Sequence, residues 1–280
     1  MILLRYILTP ITIPLSLVYG CIIYLRNLFY DLGWFTTEDF KLPIISVGNI
    51  TTGGSGKTPL VMYLANLLIK NGKNPGIVSR GYGRKSKGLV VVHDGKTMKV
   101  KVESAGDEPF LMGTILKSVP VIVCEDRREA ICHLVNSSTV NIIIMDDGFQ
   151  HRKVKRDLDI ITISANDTKN DYRLLPRGKL REPFKNINRS NAIVFTKTDN
   201  FTPPNIHVEV QSVLKGSQFF STMIPVLMKY DSSGYHKSLT PIKPLFAFCG
   251  IGEPDSFFKS IKQLDLKLGG KRIFSDHQEY

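Results

Sequence analysis

The residues with most chemistry to offer stand together in Gly53-Gly54-Ser55-Gly56-Lys57-Thr58, between an apolar run and a helical one. Backbone N–H groups of such a loop at a helix N-terminus cradle phosphates, the lysine reaches the β- and γ-phosphate oxygens, and the threonine can ligate Mg²⁺. The full GxxxxGK[ST] spacing is missed, because Thr51 stands where its first glycine would; Gly48, Gly53 and Gly54 still permit the loop. Thr51, Thr52, Gly53, Gly54, Ser55, Gly56, Lys57 and Thr58 are therefore the candidate nucleotide-binding residues. Asp146 and Asp147 follow the apolar Ile142–Met145, where a nucleoside triphosphatase places a carboxylate to hold Mg²⁺ directly or through water. Thr58, Asp146 and Asp147 are the candidate metal ligands. Asp107, in a Gly-Asp-Glu-Pro turn, could accept or orient a hydroxyl proton, or could simply cap a helix. His277 could relay that proton or be an ordinary surface histidine. The set requires a triphosphate and a divalent ion, and it does not say what receives the phosphate.

Such a loop needs a strand to deliver it and a helix to receive it. LPIISVGNI (42–50) reads as a buried strand, and PLVMYLANLLIKNG (59–72) as a helix with Pro59 in its first turn and Gly72 as its stop. A strand follows at 74–83, then a hairpin of 89–95 with 97–103 about Asp94-Gly95. Residues 108–118 read as a short helix, 119–125 as a strand, 126–138 as a helix and 140–148 as a buried strand ending in acids. This alternation predicts an α/β fold of the P-loop nucleoside triphosphatase kind, with a mostly parallel sheet covered on both faces. After Gln150 the character changes: a strand in 151–166, a basic proline-punctuated loop, a strand in 191–199, weak alternation over 201–240, and strand, glycine turn and helix in 244–266. The predicted division is a membrane-associated segment (1–34), a nucleotide-binding domain (35–152) and a second, substrate-contacting α/β domain (153–280) that reads as incomplete after FSDHQEY.

With 280 residues, 42% of them hydrophobic, a disulfide-stapled mini-protein and a disordered tail are both excluded. The formal charge of +12 favours anionic partners such as nucleotides, phosphorylated substrates or acidic lipid surfaces. Cys21, Cys124, Cys132 and Cys249 form no CxxC pair and read as reduced, packed thiols without a metal. Residues 6–25 carry no formal charge, long enough to cross a bilayer but interrupted by Pro10, Pro14 and Gly20, with Arg5, Arg26, Tyr24 and Trp34 suited to an interface. Interfacial anchoring, a single span and a helix packed on the domain all remain open. Residues 169–189 cluster seven basic residues, Arg181 among them, against Asp171 and Glu182. Glu182 could orient a hydroxyl or an ion, or pair with a neighbouring arginine. Arg80, Arg127 and Arg128 could meet acceptor or triphosphate, and Tyr82 could pack on a sugar or adenine ring.

The chain resembles the tetraacyldisaccharide 4'-kinase family of the lipid A pathway over nearly its whole length. The resemblance rests on GNITTGGSGKTP (48–59), SRGYGR (79–84), GDEP (106–109), DDGFQHRKVKRDLDI (146–160), LPRGKLREP (175–183), FTK (195–197), FCGIGEPDSFF (248–258) and the closing FSDHQEY. It implies an ATP- and Mg²⁺-dependent kinase that phosphorylates the 4'-hydroxyl of an acylated glucosamine disaccharide 1-phosphate, giving lipid IVA at the cytoplasmic face of the inner membrane. The anchor would be monotopic or a single N-terminal helix, on an anionic membrane surface. It also implies that Asp107 acts on the attacking hydroxyl with help from His277; the family's DHH-like motif stands here as Asp276-His277-Gln278. Lys57 completes the catalytic set, and Arg80, Tyr82, Arg127, Arg128, Gln150, His151, Arg181 and Glu182 are the candidate substrate-binding residues. Other readings are a soluble small-molecule kinase and a nucleotide switch or metal-insertion GTPase, although Thr196 stands where a guanine-reading NKxD has its asparagine. No nucleic acid and no obligate protein partner are expected.

Overall fold

Runs of β-branched residues long enough to be buried on both faces build the centre of this protein. The computed structural model describes residues 2–137, 139–198, 204, 206–214, 216–231, 234–237, 244–251 and 254–275. The chain forms two compact units, Met1–Ser221 and Thr222–Tyr280. In the first, α1 (Ile2–Asp31) precedes β1 (Ile44–Asn49), α2 (Lys57–Lys70), β2 (Pro75–Ser79), β3 (Val90–Asp94), α3 (Val102–Ala105), α4 (Asp107–Ile115), β4 (Pro120–Val123), α5 (Arg127–Ser137) and β5 (Ile142–Asp146). Then come β6 (Leu158–Ser164), a 3-10 turn (Phe184–Arg189), β7 (Ala192–Thr196), α6 (His207–Val213) and β8 (Ser217–Phe220). The strands form one eight-stranded sheet in the order β3-β4-β2-β5-β1-β6-β7-β8, parallel throughout except for the β3–β4 pair.

Alternate residues of each strand serve opposite faces. Val47, Ile77, Val121 and Ile144 pack with Val61 and Ala65 of α2 and Met112 of α4. Their neighbours Ile44, Val78, Ile122 and Ile143 pack instead with Ala130, Ile131 and Leu134 of α5. A third cluster joins Ile161 and Ile163 of β6 to Phe149, Leu180 and Phe195. Each fully buried large side chain contributes roughly 1.5–3 kcal/mol.

The structure departs from the expected division at residue 152. β1 pairs with β6 in parallel from Ile45↔Leu158 to Asn49↔Thr162, so a cut there would unpair one whole edge of the strand that delivers the glycine loop. The change of composition marks a long loop, while the compact units divide after Ser221. The second unit holds the antiparallel pair β9 (Met228–Asp231) and β10 (Gly234–Lys237). It also holds β11 (Leu245–Cys249), α7 (Pro254–Gln263) and β12 (Leu268–Ile273), with β11 and β12 parallel.

The expected strand at 97–103 does not form. Asp94 Oδ1 accepts the Lys96 and Thr97 N–H groups at 2.8 Å and closes the turn. Beyond the isolated His93–Met98 bridge, however, Met98 and Val100 pack on the core and 102–105 turns into α3. Pro10 and Pro14 lie inside α1 without ending it, although each removes one hydrogen bond. Cys124 and Cys249 are buried as expected, whereas Cys21 and Cys132 are exposed.

Candidate active site

The polar ends of the central strands make the site. In open α/β sheets ligands bind outside the carboxyl ends of the strands, and here Asn49, Ser79, Asp146, Ser164 and Thr196 terminate β1, β2, β5, β6 and β7. Beyond β1 the chain is held by the 179–181 segment: Thr51 bridges Leu180, Thr52 N–H donates to the Lys179 carbonyl at 2.8 Å, and Arg181 N–H donates to the Ile50 carbonyl at 2.8 Å. Gly53 and Gly54 are exposed, Ser55 is buried, and the Ser55 and Thr162 hydroxyls are 2.7 Å apart. Gly56 must be glycine twice over: its φ is +78°, and a Cβ would stand 3.2 Å from Thr196. α2 then begins at Lys57, with Lys57 and Thr58 both buried.

Lys57 Nζ lies 3.6 Å from Asp147 Oδ1. Arg181 Nη1 donates to both Asp147 oxygens at 2.9 Å, and Arg127 Nη2 to its main-chain carbonyl at 3.4 Å. Burial opposes ionisation of Asp147, but Lys57 and Arg181 together outweigh it and hold the carboxyl below its ordinary value. Asp146, 1% exposed, goes the other way. Burial first, then the charges of Glu108 and Asp147, push it up to about 7 against the pull of Lys57 and the Ser79 hydroxyl. Ser79 Oγ donates to Asp146 Oδ2 at 2.8 Å, and Asp146 Oδ1 is buried with no hydrogen-bond partner among the described residues. Adjacent carboxyls with opposed shifts are suited to different tasks.

Several sequence candidates converge on this cluster. Gln150 Nε2 donates to the Asn49 carbonyl at 2.8 Å and to Glu182 Oε1 at 3.1 Å, and Glu182 is fully buried. His151 is pushed down to about 4 by burial and by the Arg127 charge, so it is neutral at pH 7. Arg80 and Tyr82, both exposed, sit on the loop after β2, where they line an open cleft of about 360 Å³ with Arg84, Lys85 and Glu125. Arg128 instead binds Asp126, two residues earlier, through Nε and Nη2 and lies near Glu38. Asp107 is the exposed first residue of α4, and its turn lies against the loop after β2, since a Cβ on Gly106 would stand 2.8 Å from the Tyr82 carbonyl oxygen. His277 lies outside the described residues.

Sequence reasoning missed the residues that brace the loop from β6 and β7. Thr196 Oγ1 donates to the Ser55 carbonyl and Lys197 Nζ to the Gly54 carbonyl, each at 2.8 Å. The Thr-Lys pair that superficially resembled a base-reading loop thus clamps the glycine loop. Glu108 was also missed, although it stands beside Asp107 in the same motif. Asn186, which donates to Glu182 Oε2 at 2.8 Å, carried no local signal, because only the fold brings the 3-10 turn there; Arg189, one of the seven clustered basic residues, donates to the same oxygen at 2.6 Å.

The family model described as tetraacyldisaccharide-1-P 4'-kinase matches residues 8–280. The tetraacyldisaccharide 4'-kinase of Aquifex aeolicus is 39% identical over 270 residues, covering 96% of this chain and 82% of that protein. The enzyme of the same name from Desulfotalea psychrophila is 38% identical over 279 residues, covering 98% of this chain and 80% of that protein. The crystal structure of the "apo" form of the Aquifex aeolicus protein in complex with ATP superposes with a TM-score of 0.79 at 38% identity, covering 98% of this chain and 83% of that one. A match along nearly the entire sequence, to the family model and to these relatives alike, shows that the chain belongs to the tetraacyldisaccharide-1-P 4'-kinase family.

Proposed function

We propose that this chain carries out its family's reaction with the residues gathered at the carboxyl edge of β1, β5 and β2. That reaction is transfer of the γ-phosphate of ATP to the 4'-hydroxyl of a tetraacyldisaccharide 1-phosphate, giving lipid IVA. The observation that carries the assignment is the partly buried cluster in which Lys57, the first residue after the glycine loop, and Arg181 both face Asp147. Phosphoryl transfer asks a protein mainly for alignment and charge neutralisation. Lys57 and the loop N–H groups grip the triphosphate, and Asp147 with Arg181 keeps the ammonium placed. Asp107 orients the 4'-hydroxyl and accepts its proton as the oxygen attacks, assisted by His277. Arg80, Tyr82, Arg127, Gln150 and His151 flank the path between loop and acceptor.

The residues present fit Mg²⁺. It prefers oxygen ligands and is held by one or two carboxylates plus phosphate oxygens rather than by an all-protein cage. Asp146 Oδ1 is buried with no hydrogen-bond partner among the described residues, and Asp146, Asp147 and the Thr58 hydroxyl are the oxygen ligands that would hold the ion. Mg²⁺ bound there supplies charge neutralisation for the transferring group.

The lipid substrate and the membrane association fit α1. Thr9–Asp31 is apolar and long enough to cross a bilayer, and Leu17, Val18, Ile22, Tyr24 and Trp34 are more than half exposed. The other face carries hydrogen bonds to the 174–182 segment, which favours a helix lying in the cytoplasmic leaflet surface over one spanning the bilayer. The test is Mg·ATP phosphate transfer in mixed micelles, comparing the acylated disaccharide 1-phosphate with its deacylated analogue. Transfer to the acylated 4'-hydroxyl is expected. Absence of transfer by folded, ATP-binding protein would overturn the assigned acceptor.

A further inference from the structure

Side chains that serve neither lipid contact nor nucleotide contact connect α1 to the phosphate site. Ser16, Gly20, Ile23 and Asn27 form one helical stripe, and Ser16, Ile23 and Asn27 are buried. Gly20 permits the approach, because a Cβ there would stand 3.0 Å from Leu174 Cδ1. Ser16 Oγ donates to the Leu174 carbonyl at 3.1 Å and accepts the Arg177 N–H at 3.2 Å. The Tyr19 hydroxyl donates to the main-chain carbonyl of Arg181 at 2.6 Å. Asn27 reaches deepest. Its Oδ1 accepts from Arg26 Nη2 at 2.9 Å, which turns the amide so that Nδ2 donates to Glu182 Oε2 at 3.2 Å.

A fully buried carboxylate is tolerated only when donors saturate it. Glu182 has four, from Asn27, Gln150, Asn186 and Arg189. Gln150 Oε1 in turn accepts from Arg181 Nη1 at 3.4 Å, the same nitrogen that holds Asp147. α1 therefore fixes two consecutive residues: Arg181 through its carbonyl and Glu182 through its carboxylate. A continuous polar chain runs from Asn27 through Glu182, Gln150, Arg181 and Asp147 to Lys57.

We infer that Asn27, supported by Tyr19, is a positioning residue for phosphoryl transfer. The apolar helix that seats the protein on lipid also holds the Arg181–Glu182 segment in the register that keeps Arg181 on Asp147 and Asp147 on Lys57. The inference rests on the reading of Lys57, Asp147 and Arg181 as the triphosphate site. Misplacement of such a cluster by about 1 Å is enough to lower a transfer rate strongly.

The test compares the parent with Asn27→Leu, which keeps the side-chain size and removes the amide, and with Tyr19→Phe. Transfer kinetics in mixed micelles, binding of a fluorescent ATP analogue and sedimentation with anionic phospholipid vesicles are measured together. Asn27→Leu is expected to lower kcat about 10-fold with vesicle binding and the KM for lipid unchanged. In a Glu182→Gln background the same substitution should have little further effect, since both act through one contact. A kcat within about 2-fold of the parent, or losses that multiply in the double variant, would overturn the inference. If Asn27→Leu does not fold, Tyr19→Phe decides the matter: a loss of about 3-fold in kcat supports the role and an unchanged kcat removes it. Full activity in Lys57→Ala would instead remove the site reading beneath it.

Discussion

Two parts of the sheet edge are built differently. Asp147 is paired with both Lys57 and Arg181 in partly or fully buried surroundings, next to a glycine loop braced by Thr196, Lys197 and the 179–181 segment. Asp107 stands exposed on the first turn of the short helix α4. The groups proposed to meet the triphosphate are held in place by their pairing, and charge stabilisation is strongest where no reorganisation is needed. The group assigned to the hydroxyl is left on the exposed surface. In the proposed reaction, preorganisation is thus concentrated on the donor side.

The largest expected effect breaks the donor side. Lys57→Ala should lower transfer by about 10³-fold and weaken binding of a fluorescent ATP analogue, with both read on the same folded sample; equal nucleotide affinity would deny Lys57 its place on the triphosphate. Asp107→Asn addresses the other side. It should lower transfer by about 10²-fold and leave nucleotide affinity unchanged, so the contrast between the two variants in binding is the sharpest form of the comparison. Similar rates for Asp107→Asn and the parent would sink the assigned base.

A smaller effect concerns stability within the donor side itself. The folded-state value of Asp146, about 7, lies above its ordinary 3.8. Between those limits the folded state retains a proton that the unfolded chain has lost. Its contribution is therefore fully present below about pH 4, declines as pH rises towards 7 and is gone above it. In metal-free buffer Asp146→Asn should exceed the parent in stability by roughly 2 kcal/mol at pH 8, with the gap closing towards pH 4. Urea unfolding at the two pH values reads this directly, and a gap independent of pH would mean that burial does not govern Asp146.

Local motifs are legible when neighbours in sequence do the work. The glycine loop, the lysine that opens α2 and the adjacent aspartates at the end of β5 are each a short run whose backbone direction is set by the adjoining strand. The division at 152 was misread because composition reports a loop and cannot report that β6 pairs with β1. Arg128 illustrates a second limit: its type suited phosphate, yet Asp126 two residues earlier takes its guanidinium.

The amino-acid sequence by itself determined the chemistry available here: a phosphate loop, two acids at a strand end, an apolar helix and the family to which they belong. Periodicity and motif order are local properties, and they survive without the fold. Only the tertiary structure decided which carboxyl of Asp146 and Asp147 is paired and which is pushed towards neutrality, since desolvation and charge act through space. It also joined Asn27 to Glu182 across 155 positions of sequence, because a buried carboxylate must find its donors wherever packing brings them.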